Sequence, residues 1–373
     1  MTAQTDVSPV AREQAASAGA ARAVRLKAAV VGTGKISEEH LKYLRADANV
    51  ELAAVCDLSS ALAQYAVARF GASQAFTDCA KMLADVKPDV LHILTPPHTH
   101  FKMVSDALNA GAHVIVEKPV APTNREFNEL WKLAQSKKRL IVEDHNYRFN
   151  EPVLKIEQLL REGQLGEVRE ITVRMALPIR KTGGRYADEN LPHPSHRMPA
   201  GVLHEFITHL CYLALRFLPS VDRVSAAWAN VGGGTLFKYD DLDALVIGGP
   251  VHARIRFTAA AAPDTFSLTV RGSRGWAQTD LFQPYLRLVL PRKGGAQLSP
   301  LVNHIANGIG LASAGLRGFT NKVLQKTPYE GLQTFLHHTY RAFRERSQPP
   351  VTYDDMDRAS RLVDMLVDEA NRI

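Results

Sequence analysis

A chain of 373 residues is long enough for about two domains with sizeable cores. With 46% apolar and 22% charged residues its bulk is not disordered, and no apolar run reaches the ~18 residues that a membrane span needs. The net charge of +7 suits anionic ligands such as nucleotides or nucleotide sugars, or simply a solvated basic surface; no nucleic-acid-binding motif accompanies it.

Met1 to about Arg25 is rich in Ala, Ser, Thr and Gln and lacks the apolar core of a secretory signal, so a disordered leader over 1–25 is expected. From Leu26 onward, short β-rich runs alternate with helical patterns. The strands fall at 26–31, 50–56, 89–94, 112–116 and 139–143, with a short one near 74–76. Helices are expected near 35–46, 59–70, 79–85, 99–110 and 123–136. This alternation predicts an α/β domain over 26–145 built on a doubly wound parallel sheet, whose ligands lie beyond the carboxyl ends of the strands. Cys56, Cys79 and Cys211 have no metal-ligand spacing and read as reduced thiols of a cytoplasmic protein.

Over 146–373 the pattern changes. A helix near 152–162 precedes strands at 167–177, 221–231, 242–248, 252–260, 265–272, 275–282 and 285–291, interrupted by a helix near 201–217. The tail is helical near 329–346 and 353–370. This predicts a C-terminal α+β domain with a large, mostly antiparallel open sheet. Asn303 to Lys326, rich in Ala, Gly and Leu, is expected to be a helix and loop packed on that sheet. A basic amphipathic helix on a membrane surface is the alternative.

The first strand runs into Gly32-Thr33-Gly34-Lys35-Ile36-Ser37, and the second ends in Asp57, 23 residues after Gly34. This is the dinucleotide-binding layout known as a Rossmann unit. Gly32 allows the tight turn, and Gly34 lets backbone approach a pyrophosphate at the positive end of the next helix. Asp57 can accept hydrogen bonds from ribose hydroxyls. Ser37 stands where a third glycine is usual. A carboxylate repels a 2′-phosphate, so NAD is expected; Lys35 or Arg69 would be the groups to accommodate NADP.

Two further features carry chemistry. Lys118, fixed between Glu117 and Pro119 after an apolar strand, can donate to a substrate hydroxyl or carbonyl at the sheet edge. Glu205 and His209, four apart on the expected helix, share a face, so the carboxylate can orient the imidazole as a general base. A solvent-facing pair is the plain alternative. A zinc site from His193, His196 and His204 is disfavoured because His204 and His209 are five apart, and no metal is expected.

Together these features resemble the glucose–fructose oxidoreductase / inositol dehydrogenase / MocA family over about residues 26–370. The resemblance rests on Gly32-Thr33-Gly34-Lys35-Ile36 with His40, on Asp57, and on Thr95-Pro96-Pro97 with His100. It continues through the run Gly111 to Pro119, Asn146-Tyr147-Arg148-Phe149 and Gly163 to Val168. It implies an NAD(P)-dependent oxidoreductase acting on a secondary alcohol or ketone of a sugar, nucleotide sugar or polyol. The cofactor would be held by Gly32, Thr33, Gly34, Lys35, Ile36, Asp57, Thr95, Pro96, Pro97, His100, Glu117, Lys118 and Arg148. Lys118 would lie beside the nicotinamide, with Glu205 and His209 as the family's acid and histidine. The substrate would meet Lys118, Tyr147, Arg174, His193, Glu205 and His209, with His196, Arg180 and Arg185 as further candidates.

The resemblance also implies a homo-oligomer, dimer or tetramer, formed through the outer face of the second sheet. Three departures stand out: Glu205 replaces the usual aspartate, Ile207 a frequent glycine, and Tyr212 a common later aspartate. The family also contains redox-assisted glycosidases and non-catalytic cofactor-binding regulators. Retention of Lys118 and His209 speaks against a regulator.

Overall fold

The computed structural model describes residues 25–291, 295–324 and 329–370; of the leader expected over 1–25 all but Arg25, and also Lys326, lie outside the described residues. Six parallel strands form the first sheet: β1 (Leu26–Val31), β2 (Val50–Cys56), β3 (Gln74–Phe76), β4 (Val90–Ile93), β5 (His113–Val116) and β6 (Ile141–Glu143). Their order is β3-β2-β1-β4-β5-β6. β4 and β5 are apolar runs buried almost throughout, as strands covered on both faces must be. The covering helices are α1 (Ser37–Ala46), α2 (Ser60–Phe70), α3 (Cys79–Val86), α4 (His100–Asn109) and α5 (Asn124–Lys137). Local signals start them: Asp78 accepts from the Ala80 and Lys81 N–H groups, and Thr123 Oγ1 accepts from the Glu126 N–H and donates to the Glu126 carboxylate. Strand order reverses between β1 and β4, which opens a crevice where Gly32 and Thr95 follow their strands.

After α6 (Glu151–Arg161) the chain builds a seven-stranded sheet from β7 (Val168–Ala176), β8 (Arg223–Ala229), β9 (Asp241–Gly248), β10 (Val251–Thr258), β11 (Thr265–Gly272), β12 (Trp276–Asp280) and β13 (Arg287–Val289). Its order is β13-β12-β11-β7-β10-β9-β8, and only β7 and β10 pair in parallel. Alternation buries one face: Val173, Met175, Ile255, Phe257, Phe266 and Leu268 pack beneath α7 (Leu203–Leu215). The fold is thus a doubly wound parallel domain joined to an α+β domain with a mostly antiparallel open sheet.

The last helices close the molecule. α8 (Gly295–Val323) is one 29-residue helix along the β13 edge, not the helix and loop packed on the sheet that the composition suggested. The reason is that its inner side is small and polar: Asn303 and Asn307 bond to strand backbone, while its apolar residues face outward. α9 (Glu330–Glu345) returns to the first core, where Leu332, Phe335, Leu336 and Tyr340 are fully buried. α10 (Tyr353–Ala370) bridges both units. Its Asp357 accepts from Asn124 and Asn128 of α5, while Leu362 and Leu366 sit in the second core. Among the described residues, no helix is long and apolar enough to cross a membrane.

Candidate active site

The glycine turn is shaped by what surrounds it. Gly32 has φ +88°, and a Cβ there would stand 2.7 Å from the Leu94 carbonyl oxygen, so only glycine fits. A Cβ at Gly34 would meet nothing within 4 Å, which leaves that side of the turn open at the start of α1. Asp57 is tied to the turn: its Oδ2 accepts from Thr33 N and Thr33 Oγ1 at 2.8 and 2.9 Å, and its Oδ1 accepts from Ser59 N at 2.9 Å. A carboxylate has about four acceptor positions, so one remains for a ribose hydroxyl. Lys35 is exposed beside the turn and Ile36 is half-buried. These residues fit a dinucleotide: an open glycine, a helix N-terminus and a held acid converge at the crevice.

The neighbouring loops are pinned to each other. The ring nitrogens of His100 lie 2.8 Å from the Thr95 carbonyl oxygen and 2.7 Å from that of Pro119, so this buried histidine joins the two strand-end turns. Thr95 Oγ1 lies 2.7 Å from Thr99 Oγ1, and Pro96 and Pro97 lead into α4. Arg148 is buried, with its guanidinium 3.1 Å from Asp355 and 3.4 Å from His145 Nδ1. Both residues, expected at the cofactor, are engaged by protein groups.

Lys118 leaves the end of β5 and donates to the Glu205 carbonyl oxygen in the first turn of α7 at 2.8 Å. That bond brings the strand-end lysine of one domain to the helix carrying Glu205 and His209 in the other. The expected Glu205–His209 pairing is not formed. Glu205 instead takes hydrogen bonds from Arg185 and Ser195, both at 2.5 Å. Burial pushes the Glu205 carboxyl up, but Lys118, Arg185 and the Ser195 hydroxyl outweigh it and hold the pKa below its ordinary value.

His209 is oriented by Tyr212, whose hydroxyl lies 2.9 Å from Nδ1. That hydroxyl donates to Asn146 Oδ1 at 3.2 Å and accepts from Tyr147 N at 3.4 Å. Because Asn146 Oδ1 can only accept and Tyr147 N can only donate, all three contacts are met together when His209 Nδ1 donates to the hydroxyl and Nε2 keeps the lone pair. Burial first, then Lys118 and His145, hold the His209 pKa well below its ordinary value. Tyr147 meets the imidazole edge to face at 5.0 Å, and Phe266 lies behind both rings.

Behind Lys118 lies a buried polar cluster. His40, Glu117 and Asp144 bring one ligand-type atom each within 4.8 Å of one another. Burial, with Asp144 as the nearest like charge, pushes Glu117 up to about 7; burial likewise pushes Asp144 up to about 7. His40 is lowered to about 4 by burial. The Lys118 ammonium lowers both acids and already supplies the compensating positive charge, so we assign no metal there.

The loop before α7 divides its candidates. His193 Nδ1 lies 3.0 Å from Ser195 Oγ, and its ring packs on Tyr186, so His193, Arg185 and Ser195 gather around Glu205. Arg180 turns away to Asp240 at 2.8 Å, and His196 Nε2 to the Tyr186 carbonyl at 2.9 Å. Arg174 corrects the expectation. It pairs in register with Arg256 and Ser267, on the sheet face opposite Met175 and Phe266, and is exposed there. Strand alternation carries it away from His209. Tyr212, Asn146 and Asp144 are additions. A helical spacing of three is the signal that could have joined Tyr212 to His209, whereas Asn146 stood in the sequence only as part of the family pattern, with nothing local to join it to the histidine.

A parallel sheet ending in such a turn is a dinucleotide-binding layout, and Lys118 ties it to the helix that carries His209. Residues 26–145 match the oxidoreductase family with NAD-binding Rossmann fold, and residues 153–278 match the GFO/IDH/MocA C-terminal domain. The chain belongs to the GFO/IDH/MocA family. It is 31% identical over 150 residues to D-glucoside 3-dehydrogenase of Escherichia coli (strain K12), covering 40% of this chain and 43% of that protein. It is 25% identical over 166 residues to inositol 2-dehydrogenase of Rhizobium meliloti (strain 1021), covering 43% of this chain and 50% of that one. The chain thus spans half or less of these relatives' length.

Among solved structures, levoglucosan dehydrogenase in complex with NADH and levoglucosan superposes with a TM-score of 0.76 at 18% identity, over 93% of this chain and 97% of that one. The WlbA dehydrogenase from Bordetella pertussis, in complex with NADH and UDP-GlcNAcA, gives 0.75 at 18% identity, over 93% and 96%. At that identity the likeness is one of fold.

Proposed function

We propose that this protein is an NAD-dependent oxidoreductase that moves a hydride between the nicotinamide and a secondary alcohol or ketone of a sugar, nucleotide sugar or polyol. One observation carries the reading. The Lys118 ammonium, just past the end of β5, bonds to the first turn of α7, and one turn on His209 is held through Nδ1 by the Tyr212 hydroxyl. The named relatives act on glucosides and inositol, which supports the substrate class.

Gly32, Gly34 and the start of α1 would hold the pyrophosphate, Asp57 the adenosine ribose, and Lys118 and Glu117 would lie at the nicotinamide end. When bound, NAD supplies the hydride acceptor. In the oxidative direction His209 Nε2 takes the hydroxyl proton, while the Lys118 ammonium stabilises the negative charge left on oxygen. Tyr212 keeps the Nδ1–H tautomer and accepts a stronger hydrogen bond as the imidazolium forms. Glu205, held by Arg185 and Ser195, fixes a second hydroxyl, and Tyr147, backed by the buried Phe266, packs against the imidazole. In the reductive direction His209 returns the proton.

The residues of this assignment divide the chain into a cofactor domain over 26–145 and a substrate domain over 146–373. The protein would work in the cytoplasm, which the unpaired Cys56, Cys79 and Cys211 suit, as a homo-oligomer. The test is native mass spectrometry followed by a sugar, polyol and nucleotide-sugar panel read as NADH formation. Retained NAD and turnover of an alcohol are expected. Failure to bind NADH, or glycoside cleavage without net NADH, would overturn the reading.

A further inference from the structure

We propose that α8 is an interface between two copies of this chain, packed helix to helix about a twofold axis. Leu298, Val302, Ile305 and Ile309 recur at steps of four, three and four, and the same steps continue through Ala312 to Val323. That is a heptad stripe sustained over about three and a half repeats, the length that marks a coiled-coil seam. Its side chains face solvent: Ile309 is 67% exposed, and Leu316 and Phe319 are each 66% exposed. A stripe of this size on a single soluble chain marks a surface that is covered in use.

The opposite side of the helix is already occupied. Asn307 Oδ1 accepts from Leu288 N at 2.8 Å and its Nδ2 donates to the Leu288 carbonyl at 2.9 Å. Asn303 does the same one turn earlier at Leu290, at 3.5 and 2.8 Å. These amides act as an extra strand along the β13 edge and fix the helix so that the heptad stripe points outward.

What sits beside the stripe indicates the occupant. In an ordinary coiled coil the flanking positions carry charges that select partners. In the two central repeats they are Ala306, Gly308, Ser313 and Gly315, and the flanking charge, Lys322, stands only at the end. Glycine weakens a helix interior, and a Cβ at Gly308 or Gly315 would meet nothing within 4 Å, so this chain's own packing does not require them. Close approach of an outside helix does.

A lipid surface would call for a cation-rich polar face, yet that face is held on the sheet edge and the helix's lysine and arginine lie near one end. The period also matters: a flat surface calls for a stripe of period 3.6, which runs straight along a helix. This one keeps the 3.5 repeat, which drifts by about 20° per heptad on a straight helix and stays in contact only when two helices wrap each other. The repeat is symmetric about a centre between Ile309 and Ala312. An antiparallel pair therefore sets Ile305 against Leu316 of the second copy and keeps the Arg317 cations apart.

Sedimentation velocity of the full chain provides the test and does not depend on the reaction proposed above. The wild type is expected at twice the 41.1 kDa chain mass or a multiple of it. The double variant Ile309→Glu with Leu316→Glu is expected to halve that mass with an unchanged far-UV circular dichroism spectrum. Under mild oxidant, Ile305→Cys with Leu316→Cys is expected to give a covalent dimer. A monomeric wild type, a charged variant of unchanged mass, or no covalent dimer would overturn the proposal. So would binding of the monomer to phosphatidylserine vesicles through this stripe.

Discussion

Imidazole tautomers are set by their neighbours, and at His209 the neighbour is a tyrosine whose hydroxyl also bonds Asn146. His209→Ala should cut kcat on the order of 10²–10⁴-fold, the reach of a general base, while leaving NADH affinity near wild type. Because its pKa is held well below the ordinary value, His209 stays neutral through neutral pH. Loss of kcat/KM in the oxidative direction therefore begins only below the pH at which a free histidine protonates. Removing a nearby cation raises the pKa of a base, so Lys118→Met should move that acid limb to higher pH as well as lowering kcat. An unmoved limb would show that His209 is not the titrating base. Asp57→Ala should weaken NAD binding by about 1–3 kcal/mol, the scale of a lost charged acceptor, and isothermal titration would read it. Asp57, Lys118 and His209 were legible because local strand and helix patterns mark them. The Tyr212–Asn146 contact was not, since it closes across 66 residues of chain.

Elements differ in how much of their setting the sequence discloses. The parallel strands read clearly because continuous apolar runs alternate with helical periods, and the observed bounds trim the expected ones only at their ends. Arg174 was readable too: it falls between the buried Val173 and Met175, so alternation alone sends it to the other face. The helix after β13 was misread because its polar seam pairs with a strand edge, a partner that periodicity does not name. The glycine turn yields a paired test. Gly32→Ala puts a methyl at φ +88° against the Leu94 carbonyl and should lower the thermal midpoint. Gly34→Val adds its side chain to open space, so the midpoint should hold while NADH binding is lost. If Gly34→Val bound NADH normally, the pyrophosphate would not approach the turn there.

At the scale of the whole molecule, the two domains share their C-terminal tail. An amphipathic pattern announces that 329–346 buries one face but not which core receives it. The structure sends it back to the first domain, where the Tyr340 hydroxyl lies 2.8 Å from His92 Nε2 and His92 Nδ1 lies 2.9 Å from His40 Nδ1. A chain of buried polar contacts thus runs from the tail towards Asp144, which lies 3.7 Å from His40. Leu332, Phe335, Leu336 and Tyr340 are each fully buried against this core. At about 1.5–3 kcal/mol per buried side chain they contribute roughly 6–12 kcal/mol. That is comparable with the ~5–15 kcal/mol that holds an entire domain folded. The cofactor domain is therefore incomplete without residues from the far end of the chain. A fragment covering 25–150 should show no cooperative thermal transition and should expose an apolar surface that binds a hydrophobic dye. Adding a peptide covering 329–346 should restore part of the transition, because it carries the missing face. A fragment that melted cooperatively at the full-length midpoint would show that the tail packs on a core already complete.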